Sequence, residues 1–456
     1  MSFRSPDPGL GHWWRLGLLV LGVASGEAVA NEPEPVATNV DSSTAAESTP
    51  VVGLEALIEH LLREGRTEEA AKILEQIAMH HPQNVRVRFL NGMVALSRRD
   101  YREAIDRFRA ILIDHPDAVR VRLELARAFF LDKDYANADR QFRLTRAGKL
   151  PRDVLANIDG YLFAIRQSKE WSYSINVSLA PDTNINAGPS EREVTLYGLP
   201  FELSDDARHR SGIGLALDAG VEWAPRISGN GRLRMGLNGQ RREYSGSRFD
   251  DMTLATYIGP RFVSRKWDIS ILGTGFQRWY AGSAYARSAG ARIDATHYLA
   301  PTFMLSASAS AQWLDHQRIP EMSGPILSLG VSAFHPMSST SALAAKFGIN
   351  RQDARSSAYS NWSGYAALGY YRDLPAGFSI YLEPSLAFAR YDEALPAIGI
   401  RRSDRTLSGQ VTLLNRHIVL SRFTPRLSYT FTKQDSNMAL YRFTRSRIEI
   451  GLTTNF

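Results

Sequence analysis

The amino-acid sequence predicts two unlike parts: an N-terminal α-helical solenoid and a C-terminal transmembrane antiparallel β-barrel of about 14 strands. Three observations carry this. A helical pattern with a period of 34 residues runs to about residue 170. Beyond it, apolar and polar residues alternate with period two in one segment after another. The connections between those segments are alternately short and long, as in membrane barrels with tight turns on one side and loops on the other.

The 456 residues allow two or three domains. The formal charge is +7 and the pI about 9.5, but the arginines are scattered through both halves, which does not favour nucleic acid as a partner. A mean hydropathy of −0.24 looks soluble, yet a membrane barrel gives the same average because only alternate residues face lipid. The absence of cysteine excludes thiol chemistry, disulfides, cysteine zinc sites and a lipidated N-terminal cysteine.

Arg4 and Arg15 precede the apolar run Leu16 to Ala24, and Ala28-Val29-Ala30 follows, so residues 1–30 are expected to be a secretory signal peptide. Residues 31–50, rich in Glu, Pro, Ser, Thr and Ala, read as a disordered linker. Residues 51–170 form the helical domain. Pro82 and Pro116, Gly92 and Ala126, Tyr101 and Tyr135, Ala104 and Ala138, and Phe108 and Phe142 each stand 34 residues apart. A small residue, Tyr, Ala, Phe and Pro recurring in this order resembles the tetratricopeptide repeat, with about three units. The alanines let helices approach, the phenylalanines fill the layer between units, and each proline ends a helix.

Residues 171–456 form the barrel. Its first strand alternates Trp171, Tyr173, Ile175, Val177 and Leu179 with Ser and Asn, and ends in a turn-forming cluster, Pro181 to Asn184. Further strands are expected at Ile213–Trp223, Arg232–Tyr244, Met252–Val263, Trp267–Tyr280, Ala286–Tyr298, Phe303–Leu314 and Ile326–Phe334. The remainder are Ser341–Asn350, Gly364–Tyr371, Phe378–Tyr391, Leu407–Leu420, Pro425–Thr432 and Arg442–Phe456. Trp171, Trp223, Trp267, Trp279 with Tyr280, Trp313, Trp362, and Tyr370 with Tyr371 suit interfacial girdles. In the last strand Ile448, Ile450, Leu452 and Phe456 share a face, and a terminal amphipathic strand ending in Phe resembles the sorting signal of the barrel-assembly machinery.

Chemistry is sparse. No His pair stands at metal-ligand spacing, and no nucleotide or hydrolase fingerprint is present, so neither cofactor nor catalysis is expected. An enzyme would have to assemble its site from loop residues such as Asp205, Asp206, His209, Asp315 and His316. Asp182, Asn184 and Asn186 have the spacing of half a calcium loop, against which stands a simple Asx turn. Arg232, Arg234, Arg241, Arg242, Arg261, Arg278, Arg390, Arg445 and Arg447 lie on strands. Several are expected in the lumen, either meeting an anionic substrate or paired with carboxylates such as Glu243 and Glu383.

The stretch Ala180-Pro181-Asp182-Thr183-Asn184-Ile185-Asn186, after a Trp-led strand, resembles the motif that opens the barrel in the surface lipoprotein assembly modifier family. The repeat region and the strand number agree with that resemblance. It implies an outer-membrane translocator with its repeat domain in the periplasm and no enzymatic activity. It implies delivery of a client lipoprotein or soluble secreted protein to the cell surface, with the repeats engaging the client or a periplasmic carrier or chaperone. Outer-membrane lipid and the barrel-assembly machinery are its further expected partners. An exopolysaccharide exporter, which also pairs such repeats with a barrel, and a porin-like channel are the alternatives.

Overall fold

The computed structural model describes residues 49–454, apart from 190, 197–198, 206, 301 and 421–422. The signal peptide, nearly all of the linker, Asp206 and Phe456 lie outside the described residues. Among the described residues seven helices come first: α1 (Thr49–Arg63), α2 (Thr67–His80), α3 (Val85–Ser97), α4 (Tyr101–Asp114), α5 (Val119–Leu131), α6 (Tyr135–Arg146) and α7 (Arg152–Ser168). α1 begins at Thr49, so its first two residues come from the stretch read as linker.

The sequence period is also a period of backbone geometry. Arg99 and Lys133, 34 residues apart, are both left-handed, at φ of 62° and 61°. The following Asp100 and Asp134 cap α4 and α6 by accepting from the N–H of Glu103 and Asn137. Ala104, Phe108, Ala138 and Phe142 are all fully buried in one continuous core. Phe142 stacks on Tyr161 of α7 at 4.8 Å, so α7 closes the last repeat. Gly92 is forced by this packing, since a Cβ there would lie 2.5 Å from the buried Phe108 ring. Gly92→Ala is therefore expected to destabilise the solenoid by about 1–2 kcal/mol, overpacking outweighing the gain in helix propensity. Thermal melting of the helical circular-dichroism signal reads this directly.

Fourteen strands then close a barrel in strict meander order. They are β1 (Trp171–Asp182), β2 (Gly212–Trp223), β3 (Gly231–Tyr244), β4 (Asp251–Val263), β5 (Trp267–Tyr280), β6 (Ser283–Ala300) and β7 (Phe303–His316). They continue as β8 (Gly324–Ser338), β9 (Ser341–Gln352), β10 (Asn361–Asp373), β11 (Phe378–Leu395), β12 (Ile400–Asn415), β13 (Thr424–Ser436) and β14 (Phe443–Thr453). β1 pairs with both β2 and β14, so the ring has no free edge. The first distal loop carries a small hairpin of its own, Glu193–Leu196 against Leu199–Glu202.

Period two places the apolar face outward. Ile213, Leu215, Leu217 and Val221 of β2 are exposed on the outer wall, as are Ile448 and Ile450 of β14. At the helical end of the barrel Trp171 stacks on Trp223 at 5.5 Å in the outer belt.

Four expectations need correction. Tyr371 and Tyr280 are not girdle residues. Tyr371 points inward to Asp373, and Tyr280 packs edge-on against the buried Tyr285. Glu243 is not in the lumen, for it pairs with Arg241 at 3.0 Å on the outer face near the distal rim. Arg390 also faces outward. The twelfth strand runs from Ile400 to Asn415, not from Leu407 to Leu420. Its first residues are polar on both faces because the wall there rises beyond the apolar belt, and pairing with β11 and β13 holds them extended.

Candidate functional site: the barrel mouth, lumen and closing seam

Three features converge on the barrel: the helices that bridge one mouth, the charged lumen, and the seam between first and last strands.

α7 leads directly into β1, which holds the solenoid close to the rim. Arg166 of α7 donates to the Arg265 carbonyl at 3.2 Å and stacks over Tyr298 at 4.2 Å. Arg232 of β3 donates to the carbonyls of Ala224, Lys169 and Gln167, tying the end of α7 to the β2–β3 turn. A second anchor lies seven strands further round a ring of fourteen, directly across the mouth. There Arg122 of α5 meets Asp373 at the end of β10, at 3.0 Å, with both side chains 1% exposed. The same nitrogen, Nη2, also donates to the Pro116 carbonyl, and Nη1 donates to the Gln141 side chain, each at 2.7 Å. Asp373 also accepts from Ser379 at 2.8 Å and from Tyr371, whose hydroxyl accepts from Arg140 of α6. Arg416 stands 3.4 Å from the same carboxylate.

Lys169, between α7 and β1, is 4% exposed. Burial pushes its ammonium down to about 7, while Asp139 and Glu222 pull it partly back. A folded-state value below that of the unfolded chain means the unfolded chain binds the proton more tightly. The attachment of α7 to the rim should therefore strengthen as pH rises from about 7 towards the ordinary lysine range. Lys169→Met is expected to flatten that dependence, measured as amide hydrogen exchange in α7 between pH 7 and 10.

Above the helices lies a cavity of about 800 Å3, floored by α6 and α7 and walled by inward-facing barrel residues. The arginines that the barrel wall contributes to it are matched by carboxylates: Arg234 with Glu222 and Asp294, Arg261 with Asp268, Arg292 with Asp294. Lys346 pairs with Glu383. Towards the distal end Arg242 pairs with Asp218, Arg278 with Asp251, Arg402 with Asp404 and Arg426 with Glu449. Of the two arrangements open to the lumen arginines, the structure therefore forms the paired wall.

The loop residues considered for catalysis do not converge. Asp315 pairs with Arg287 on the outer face, while His316, its neighbour, is buried inside against Tyr285 and accepts from the Ile319 N–H. Asp205 pairs with Arg208.

The seam is where the motif of residues 180–186 acts. β1 and β2 pair without a break from Trp171/Trp223 to Asp182/Gly212. Among the described residues the β1–β14 ladder is the shortest of the wall, running from Asn176/Thr453 to Leu179/Ile450 and resuming only at Asp182/Arg447. The break holds Pro181, which has no N–H to give. The strands approach so closely that a Cβ on Gly451 would lie 1.9 Å from the Val177 carbonyl oxygen.

Beyond the break the motif fastens the seam from its distal end. Arg445 of β14 donates twice to Asp182, at 2.8 and 2.6 Å. The Thr183 N–H donates to the Ser446 carbonyl, and the Ser446 N–H returns to the Thr183 hydroxyl. Asn184 donates to the Thr444 carbonyl. Its own N–H caps back on Asp182, the Asx turn, and its side chain brackets Gly188 through both N–H and carbonyl. Asn186 brackets Arg208 and Arg210 in the same way, and Ile185 packs on Gly212. Ala180 is buried beside these. Each polar side chain of the motif is thus committed to holding β1, β14 and the first distal loop together. Sequence reasoning located the motif but not Arg445 as its partner.

Residues 171–456 match the family model described as "Surface lipoprotein assembly modifier", and residues 88–142 match its "N-terminal TPR repeats". Surface lipoprotein assembly modifier 1 of Haemophilus influenzae is 22% identical over 328 residues, 70% of this chain and 67% of its own length. This chain thus spans about two thirds of that relative. A surface lipoprotein assembly modifier of Pasteurella multocida is 20% identical over 90% of this chain and 84% of its own. Among solved structures, the P. putida toluene transporter TodX aligns over 62% of this chain and 90% of its own, at 12% identity and a TM-score of 0.34.

Proposed function

The chain belongs to the surface lipoprotein assembly modifier family, and from that premise we propose that it is an outer-membrane translocator delivering lipoproteins or soluble secreted proteins to the cell surface. In this reading the solenoid lies in the periplasm, where its groove receives the client or a carrier holding it, and the barrel supplies the way out. The observation that carries the reading is the solenoid bridging the mouth of a fourteen-stranded barrel through anchors on opposite sides.

A cavity of about 800 Å3 is the size that holds a small-molecule ligand, and its wall is crossed by ion pairs. A folded client does not fit it, so passage needs an extended client, an opening at the β1–β14 seam, or both. The work is binding without catalysis. With no nucleotide fingerprint in the chain, the driving force is client folding or capture outside. The barrel-assembly machinery would insert the barrel, reading β14 as its signal.

The test is deletion of the gene followed by protease shaving of intact cells. The expected result is loss of the client from the surface with its retention in the periplasm. Unchanged surface exposure of every lipoprotein and secreted protein would overturn the proposal. Loss of an exported polysaccharide instead would favour the exporter reading.

A further inference from the structure

The outer wall of the barrel is apolar between its two rims, and at the distal rim, as at Arg372 near the helical end, charged side chains point outward. On most of the rim these are matched to one another, as in Arg241 with Glu243 and Arg287 with Asp315. β11 to β13 differ. Arg390 of β11 and Arg405 of β12 are exposed; Arg390 faces no carboxylate across either ladder, and Arg405 lies directly opposite Asp435 of β13. Lys433 of β13, also exposed, shares the patch and pairs with the same Asp435, at 3.4 Å, so that three cations stand about one carboxylate.

The register brings the three cations together. Arg405 lies opposite Phe388, and Arg390 opposite Ser403, so Arg390 and Arg405 are diagonal neighbours across one ladder. Lys433 lies opposite Leu407, which makes it the diagonal neighbour of Arg405 across the next. Diagonal positions on one sheet face are roughly 7–8 Å apart, near enough for two cations to share one anion. Directly beneath, towards the helical end, the exposed Phe388 and Leu407 continue the apolar belt. The cations therefore stand where hydrocarbon gives way to headgroups on the distal side, a depth at which outward-facing charge meets fixed anions. Guanidinium binds phosphate through two parallel hydrogen bonds.

We propose that Arg390, Arg405 and Lys433 form a site for the phosphate groups of lipid A in the outer leaflet, with the acyl chains lying along Phe388 and Leu407. This rests on the orientation proposed above, with the solenoid in the periplasm. The patch would hold the β11–β13 side of the barrel in a fixed lipid setting, well away from the β1–β14 seam.

The experiment uses the full chain, purified in mild detergent, placed in nanodiscs and titrated with lipid A, with lipid A lacking both phosphates, and with phosphatidylglycerol. The variants are Arg390→Gln with Arg405→Gln, Lys433→Gln alone, and Arg241→Gln as a control from the paired part of the rim. Heat-modifiable migration on gels reports assembly of each. The expected result is a Kd for lipid A raised at least tenfold in the double variant and about threefold in Lys433→Gln. Arg241→Gln should be unchanged, and the dephosphorylated lipid should not distinguish wild type from any variant. Lys433→Gln keeps the test decisive if the double variant fails to assemble.

Lipid A affinity within twofold of wild type in the assembled variants overturns the site. So does equal binding of phosphatidylglycerol, which would mean general anionic attraction or the opposite orientation. Client exposure on intact cells is a separate readout: its persistence without lipid A binding overturns this site alone, and its absence with binding intact overturns the translocator reading alone.

Discussion

Alanine at position 122 is expected to release the solenoid from one side of the barrel mouth. The loss is about 3 kcal/mol, the low end of the range for removing one partner of a buried pair. The Arg122 guanidinium is nearly inaccessible and serves Asp373, Gln141 and the Pro116 carbonyl together. Without it the Asp373 carboxylate stays buried and keeps only Arg416, Ser379 and Tyr371. Arg122→Lys should recover little, because an ammonium cannot span three acceptors in a planar fork. Hydrogen exchange is the measurement: α5 and α6 should exchange faster, while α7, held by the opposite anchor, changes less. A double-mutant cycle with Asp373→Asn should give a coupling above 1 kcal/mol. Purely additive effects would show that the two groups do not act as a latch.

The second large effect is at Asp182. Its carboxylate is fully buried and takes two hydrogen bonds from Arg445 and one from the Asn184 N–H. Asp182→Ala leaves Arg445 buried without its main partner and frees the distal end of the seam, at a cost of about 3–5 kcal/mol. The barrel should then lose its heat-modifiable migration at a lower temperature, whereas Asp251→Ala, on β4 and remote from the seam, should weaken it less. Disulfide trapping separates closure from exit. Val177 and Leu452 are direct partners across the seam, so Val177→Cys with Leu452→Cys should crosslink on oxidation. If clients leave through the seam, the oxidised protein stops exporting them and reduction restores export. Continued export with the seam locked would place the exit in the lumen.

Legibility varied with the range of the interaction. The helical repeat was readable because its signals, Gly92 to Phe142, recur at a fixed spacing and meet their partners in the next unit. The strands were readable wherever one face meets lipid and the other water, since alternation is then enforced at every second residue. Where β12 rises beyond the apolar belt, alternation stops and its first residues read as loop. The same condition hid the outward placement of Arg241, Glu243 and Arg390, because rim residues are wet on both sides. Tyr371 looked like a girdle residue because strand-end aromatics fit either face, and only its contact with Arg140 and Asp373 decides which.

The sequence by itself determined the two parts, the repeat frame, the number of strands and the existence of the motif at residues 180–186. These are local periodicities, written by neighbours two or 34 residues apart. The tertiary structure alone decided what the charged residues do. Arg88 and Arg122 occupy the same repeat position, yet Arg88 makes an exposed pair with Asp114 at 3.4 Å while Arg122 reaches Asp373, 251 residues away. Asp182 likewise finds Arg445 across 263 residues only because the ring closes. An ion pair at such separation depends on how α7 sets the solenoid on the rim and on which strand meets β1, and no stretch of sequence short enough to show a pattern contains both partners.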